Sequence, residues 1–270
     1  MYDDMMARIE AQSSRRASLA KRALFWVVYA LRPLTTEELQ HALSVEQGDS
    51  AFDKDGISRI EILLSTCACF LEVQNNTLVL VHHTAREYFR NRGDGLFPGA
   101  HANIAATCLT YMLFDDFGEG PCDSEEHLRK RLQDYPFLNY AARNWGFHFI
   151  HDQEQVKLLA EKFLCKDSNL ANSIQIIHED IGHPLDEEDQ RHKHFKARQH
   201  DLQDVHKLWV AARFDLVDVV QQLLDTGVKI MDTTGYGETG LHMASRMGHC
   251  ATAALLLQSG ADIFAKNENG

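Results

Sequence analysis

The sequence predicts a mainly α-helical protein with one small β-hairpin and a helical solenoid at its C-terminal end. Apolar residues recur at helical spacing through most of the 270 residues, and only two short runs near residue 75 are strand-like. The C-terminal part repeats itself at an offset of 33 residues. The expected parts are an N-terminal helical arm at 1–16, a domain of helices and a hairpin at 17–98, a helical domain at 99–177, a polar connector at 178–205 and the repeats at 206–270.

Two signals delimit the first helices of residues 17–98. Apolar positions from Ala17 to Leu31 follow helical spacing, and Pro33 ends that helix because proline cannot continue it. Thr35 to Glu38 read Thr-Thr-Glu-Glu, a capping box that predicts the start of a second helix. A third helix is expected from Ile57 to Leu64.

A β-hairpin follows the third helix. Two strand-like runs flank Asn75-Asn76, a pair that favours a tight turn. Cys67 and Cys69, which are separated by one residue, are expected to be small core residues at the helix-to-strand junction. A second capping box, Thr84 to Glu87, predicts the start of a closing helix. This order, three helices, a hairpin and a closing helix, is that of a winged helix, the fold we expect for residues 17–98.

The middle of the chain is expected to be a helical domain. Ala100 to Leu113 is periodic, Ser124 caps a helix that ends near Pro136, and 137–149 is an aromatic-rich helix. Glu154 to Leu164 forms a further amphipathic helix. Residues 178–205 are polar, charged and rich in histidine, as expected of a connector.

The C-terminal residues 206–270 predict ankyrin repeats. The offset of 33 aligns Leu208 with Leu241 and Ala211 with Ala244, and two short helices with a glycine-ended turn recur in each copy. Residues 239–244 read T-G-L-H-M-A, close to the ankyrin motif T-P-L-H-x-A with glycine in the place of proline. The motif residues are Thr239, Leu241, His242, Ala244, Gly248 and Gly260.

We expect this ankyrin array to be incomplete at its C-terminal end and therefore marginally stable. The chain stops at Asn269-Gly270, where the hairpin of a third repeat is expected to begin, and a repeat array needs neighbours or a polar cap to cover its faces. Leu256 and Leu257, on the last predicted helix, are both expected to pack against the preceding repeat.

The composition disfavours nucleic-acid and membrane binding. The chain has 27 Lys and Arg against 39 Asp and Glu, a formal charge of −12, whereas nucleic-acid affinity depends on neutralising phosphates. The longest apolar run, 23–31, is far shorter than the roughly 20 residues of a membrane span. Six scattered cysteines are typical of reduced thiols. We expect a cytoplasmic protein with a protein partner.

The sequence also gives no support to a catalytic or metal-binding function. The sequence contains neither G-x-x-x-x-G-K-[ST] nor G-x-S-x-G. His178 and His183 superficially resemble a zinc motif, but a spacing of five places the two rings far apart around a helix. His192-Lys193-His194 lacks further ligands at defined spacing. We therefore expect no catalytic residue, no metal and no cofactor.

Three segments resemble one family. They are 29–43 (YALRPLTTEELQHAL), 80–89 (LVHHTAREYF) and 140–146 (YAARNWG). They look like the GPI inositol-deacylase-type winged helix that follows the NACHT NTPase domain in fungal NACHT–ankyrin proteins, which are NLR-like members of the STAND class. The resemblance implies that the ankyrin array senses a partner, and that the winged helix and following helices couple it to a nucleotide switch. Because the P-loop is missing, that NTPase is expected upstream in a longer product or on another chain.

His82 is the residue to which the resemblance gives a role. His82 to Tyr88 fit H-x-[ST]-x-x-E-[FY], a setting in which the winged-helix histidine of related NACHT and apoptosome-type switches contacts the β-phosphate of ADP. Joined to a NACHT domain, His82 would then sense the nucleotide. The alternative is that His82 ends a strand and bonds the next helix locally. His83, one residue on in a strand, is expected to point the opposite way.

The sequence suggests three candidate functions for the chain. The leading hypothesis is a non-enzymatic protein-interaction module, with ankyrin repeats that bind a partner and a winged helix that couples to an NTPase. The alternative is the regulatory half of a NACHT nucleotide switch, with the NACHT domain in cis or trans. A DNA-binding winged helix is disfavoured, because the candidate recognition helix offers only Arg59 against Glu61.

Overall fold

The computed structural model describes residues 1–92, 95–151, 153–178, 207–234 and 237–267. The predicted polar connector and the histidine motifs after His178 lie outside these residues. Two compact units are present: residues 1–116 with 132–159, and residues 117–131 with the described residues from Ala160 onward. The architecture is mainly helical with one two-stranded antiparallel sheet, as the sequence predicts.

The N-terminal part of the first unit consists of five helices and the hairpin. They are α1 (Tyr2–Glu10), α2 (Ser14–Tyr29), α3 (Thr36–Ser44), α4 (Ile60–Thr66), β1 (Leu71–Gln74), β2 (Thr77–Leu80) and α5 (His83–Arg92). The capping box at the start of α3 is confirmed: Thr35 Oγ1 accepts from the Glu38 N–H, and the Glu38 carboxylate accepts from the Thr35 N–H.

The two-stranded hairpin gains one isolated bridge from a third segment. β1 and β2 pair with Leu71 opposite Leu80, and Asn75 and Asn76 turn the chain with φ of 48° and 61°. These are the left-handed conformations that asparagine tolerates, so the predicted turn is confirmed. The segment before α3 adds to the other edge of β2, since Thr35 pairs with Thr77.

The core of the first unit is aromatic. α6 (Ala100–Met112) packs against α8 (Phe137–Phe149), and α2 packs on α6. The ring of Trp26 on α2 meets Phe137 edge-on at 5.4 Å and Tyr140 at 5.8 Å. These large buried rings contribute apolar contact that holds the helices together.

Further helices complete the middle of the chain and the second unit. They are α7 (Glu125–Asp134), α9 (Gln153–Leu164), α10 (Asp167–His178), α11 (Lys207–Arg213), α12 (Val217–Asp225), α13 (Gly240–Met247) and α14 (Cys250–Gln258). Buried Arg131 donates to the Gly120 carbonyl at 2.7 Å and to Asn172 Oδ1. Gln175 bonds both the N–H and the carbonyl of Cys122. These bonds hold the loop before α7 on α10, where every polar group needs a partner.

Three local expectations are wrong. Cys67 is buried, and burial raises the pKa of its thiol to about 12, but Cys69 is exposed with φ of 68°. α5 begins at His83 and not at Thr84, because His82 caps it.

Leu256 is buried, whereas Leu257 is 42% exposed, since neighbours on a helix lie about 100° apart around its axis.

Candidate functional site

The ankyrin motif residues build the start of α13. Thr239 Oγ1 accepts from the His242 N–H, and His242 Nδ1 accepts from the Thr239 N–H at 3.1 Å, so the two side chains form a reciprocal cap. Leu241 and Ala244, which belong to the same motif, are buried. The motif therefore fixes where the helix begins and which face it turns inward.

Glycines shape the turns of the repeat. Gly248 and Gly260 have φ of 75° and 95°, in the left-handed region where a side chain is strained. Asp215 occupies the position 33 residues before Gly248 and adopts φ of 55°. The repeat thus imposes the same backbone turn on both copies, although one copy lacks glycine.

Polar side chains join the two repeats. The carboxylate of Asp215 accepts from Thr252 Oγ1 at 2.6 Å, and His249 Nε2 lies 3.0 Å from the carbonyl oxygen of Arg213. Thr252 is fully buried. This pair is not among the residues predicted from the sequence, although a threonine within the apolar helix 250–258 is a signal of a buried hydrogen bond.

A buried carboxylate lies beside the motif. Glu238 is 5% exposed, and its carboxylate binds the guanidinium of Arg246 on α13 and accepts from Trp209 Nε1 at 3.3 Å. Because a buried charged group needs a partner, the ion pair with Arg246 compensates for the burial of the Glu238 carboxylate between α11 and α13. Sequence reasoning missed Glu238, which precedes the motif by one residue.

Apolar side chains are exposed on the loops that follow each helix pair. Met231, Ile263 and Phe264 have exposed fractions of 41%, 68% and 84%. The two loops touch, since the Asp262 N–H donates to Met231 Sδ at 3.4 Å. We name Met231, Ile263 and Phe264 the loop edge. Exposed apolar side chains on two loops that touch are a candidate protein-binding surface.

His82 lies at the N-terminus of α5. Its Nδ1 accepts from the Thr84 N–H at 3.2 Å and lies 2.7 Å from Thr84 Oγ1, which is 2.6 Å from the Tyr2 hydroxyl. This is the local bond to the next helix that the alternative interpretation of His82 predicts. With Nδ1 accepting this bond, a neutral ring carries its proton on Nε2. Nε2 has no bond to another described residue, and the ring is exposed.

A pocket of about 280 Å³ opens beside His82. Tyr2, Met5, Phe70, Val81 and Thr84 line it together with His82. His83 does not point away from His82: β2 ends at Leu80, and the two imidazole rings lie 4.3 Å apart. The expectation of opposite directions is wrong because the chain has left the strand before the two histidines.

The candidate recognition helix α4 presents no basic face. Its exposed side chains are Glu61, Ile62 and Ser65, with Arg59 just before it. Within the described ranges no cluster of three or more His, Cys, Asp or Glu could hold a metal ion. No helix in the described part of the chain combines the length and the hydropathy that a membrane crossing requires.

Comparison with known families bears on both halves of the chain. Residues 5–105 match the family model of the GPI inositol-deacylase winged helix domain. These residues form a winged helix domain of that type. Residues 190–267 match a model of ankyrin repeats in three copies. The matched range 5–105 includes α2 to α5 in full and begins within α1, and the described part of 190–267 includes α11 to α14. Ankyrin repeats point to a protein-interaction module in the C-terminal part of the chain.

One curated relative is similar over most of the chain. It is the azaphilone pigments biosynthesis cluster protein L of Monascus ruber, 23% identical over 273 residues. The match covers 90% of this chain and 55% of the relative, so the chain spans about half the length of the curated relative it matches.

Proposed function

We propose that the chain is the partner-sensing half of a nucleotide-dependent switch. Its ankyrin repeats bind a partner protein, and its winged helix domain and following helices couple that binding to a NACHT-type NTPase, in cis or trans, in the cytoplasm. The loop edge carries the first part of this proposal, because exposed apolar side chains on two touching loops of ankyrin repeats are suited to a protein partner.

Partner binding is tested by changing the loop edge alone. The chain is immobilised and used to capture proteins that bind to it. The amounts of captured protein are compared between the native chain and the double variant Met231→Ser with Phe264→Ser. The matched control is Ile62→Ser, since Ile62 on α4 of the winged helix domain is 44% exposed. We expect captured proteins to be lost with the loop-edge variant and kept with Ile62→Ser. Equal capture by all three proteins contradicts binding at the loop edge.

His82 supports the coupling to a nucleotide. An Nε2–H donor on an exposed ring at a helix N-terminus suits a phosphate oxygen, because the N-terminal end of a helix attracts anions. Joined to a NACHT domain, His82 would hold the closed, ADP-bound form. A hydrogen bond to a charged group contributes about 1.5–3 kcal/mol, a shift of roughly tenfold or more between two states.

The two adjacent histidines provide a matched pair for the test. In the protein that includes the NACHT domain, His82→Leu is expected to lose ADP faster and to oligomerise without the partner. His83→Leu is expected to behave as the native protein, because His83 makes no hydrogen bond to Thr84. The measurements are ADP retention and oligomeric state. Equal ADP retention in the two variants would reduce His82 to its local bond with Thr84.

A further inference from the structure

The start of α2 carries a basic segment. Arg15, Arg16 and Ser18 lie in the first turns of the helix, and all three side chains are exposed. Leu19 follows and is half-buried. Among the described residues neither arginine forms an ion pair and the Ser18 hydroxyl forms no hydrogen bond, although the chain has a net charge of −12.

This turn is the weakest part of α2. The N-cap residue Ser13 makes no side-chain cap bond, and the first turn contains no acidic residue. Arg15 and Arg16 instead place positive charge at the positive end of the helix dipole, which is unfavourable. A missing cap costs about 1 kcal/mol, so we expect residues 14–18 to open more easily than the rest of the helix.

We propose that Ser18 is a phosphorylation site for a basophilic serine/threonine protein kinase. Such kinases bind arginines three and two residues before the serine through acidic groups, and accept an apolar residue after it; Arg15, Arg16 and Leu19 occupy those positions. The Ser18 Oγ forms a bond to the γ-phosphorus of magnesium-bound ATP, the bond to ADP breaks, and the hydroxyl proton passes to the kinase's base.

The surrounding charges give the phosphate a structural effect. Arg15 and Arg22 lie three residues before and four residues after Ser18, on the same helix face. Arg22 now binds Glu46 at 2.9 Å and the Val45 carbonyl at 2.9 Å. A phosphate on Ser18 pairs with Arg15, competes for Arg22, and supplies the negative charge that the start of α2 lacks. We expect slower amide hydrogen exchange at residues 14–18 after phosphorylation.

The experiment treats the folded chain with the catalytic subunit of cyclic-AMP-dependent protein kinase and magnesium ATP. Intact-mass and peptide mass spectrometry count and place the phosphates. One phosphate on Ser18 is expected in the native chain and in the control Ser14→Ala, and none at this segment in Ser18→Ala. Arg15→Ala is expected to slow the reaction about tenfold or more, the loss of one charge-assisted contact.

A synthetic peptide of residues 11–22 shows whether the folded chain makes the site accessible. If the peptide is phosphorylated and the folded chain is not, α2 does not open and the proposal is wrong. Phosphate elsewhere than on Ser18, or an undiminished rate in Arg15→Ala, overturns it as well. Unchanged or faster amide exchange in the phosphorylated chain overturns the pairing with Arg15 and Arg22.

Discussion

Leu256 and Leu257 are adjacent residues of α14 with opposite surroundings. Leu256 is 1% exposed and Leu257 is 42% exposed. Leu256→Ala leaves a cavity between the ankyrin helices and is expected to lower the free energy of unfolding by about 2–5 kcal/mol. We expect residues 207–267 of this variant to be cut by protease while the winged helix domain stays intact. Limited proteolysis with cleavage sites mapped by mass spectrometry measures the effect.

The exposed neighbour provides the control for this prediction. Leu257→Ala is expected to change the free energy of unfolding by no more than about 0.5 kcal/mol, because the side chain already contacts water. Similar protease sensitivity of the two variants would show that Leu256 does not hold the ankyrin helices together.

Glu238 and Arg246 form a second residue-scale test in the ankyrin repeats. Arg246→Met leaves the buried Glu238 carboxylate with the Trp209 N–H, and is expected to cost about 1–3 kcal/mol of unfolding free energy. The Arg246 side chain is 51% exposed, so solvent screening keeps the cost in the lower half of this range. Chemical denaturation measures it.

A double variant separates the unpaired charge from lost packing. Glu238→Gln with Arg246→Met removes both charges and is expected to be more stable than Arg246→Met alone. If the double variant is the less stable one, the carboxylate does not need its partner.

At the scale of elements, a chain of polar rings joins α6 to α8. The Tyr140 hydroxyl lies 2.9 Å from His148 Nε2, and His148 Nδ1 lies 2.8 Å from His101 Nδ1. The ring of His151 stacks on His101 at 4.1 Å. The Arg32 guanidinium lies over the Tyr140 ring at 5.2 Å and binds Glu38. His148 is fully buried within this group.

Because His148 is buried among these rings, we expect acidic pH to destabilise the packing of α6 against α8. Burial, and then the neighbouring His101 and His151, lower the pKa of His148 from its ordinary value of 6.5 to about 3. Between these values the unfolded chain binds a proton that the folded chain refuses, so stability falls as pH drops below 6.5. From pH 7 to pH 5 we expect a loss of about 1–2 kcal/mol from His148.

Urea unfolding at the two pH values measures this loss. His148→Gln removes one titrating ring and is expected to reduce the pH dependence, whereas the exposed His83→Gln is expected to leave it as in the native chain. His41, which is also buried, has its pKa lowered by burial to about 4 and acts in the same direction. A pH dependence that is identical in His148→Gln and the native chain would contradict the role of this ring.

At the scale of the whole molecule, we expect the purified chain neither to bind ATP tightly nor to hydrolyse it. The sequence lacks the glycine-rich loop and lysine that cradle phosphates, and its charge of −12 repels them. Titration calorimetry and a phosphate-release assay check the two parts. Micromolar ATP affinity would contradict the prediction and indicate a phosphate site outside the motifs of the sequence.

The chain's elements were predictable where the determining interactions are local. The capping box at Thr35, the turn at Asn75-Asn76 and the helix over 137–149 each depend on residues within a few positions of one another. The prediction failed at the start of α5, where either Thr84 or His82 could cap the helix. Both side chains can accept a backbone N–H, and the choice depends on the path of the chain after β2.

The sequence by itself determined the order of helices and hairpin and the 33-residue repeat, because caps, periodicity and turns are read from neighbouring residues. Only the tertiary structure decided that His101 meets His148, 47 residues away, and that Asp215 bonds Thr252, 37 residues away. It likewise decided which of Leu256 and Leu257 is covered. These outcomes depend on how separate helices pack, and that packing is set by the summed burial of many side chains.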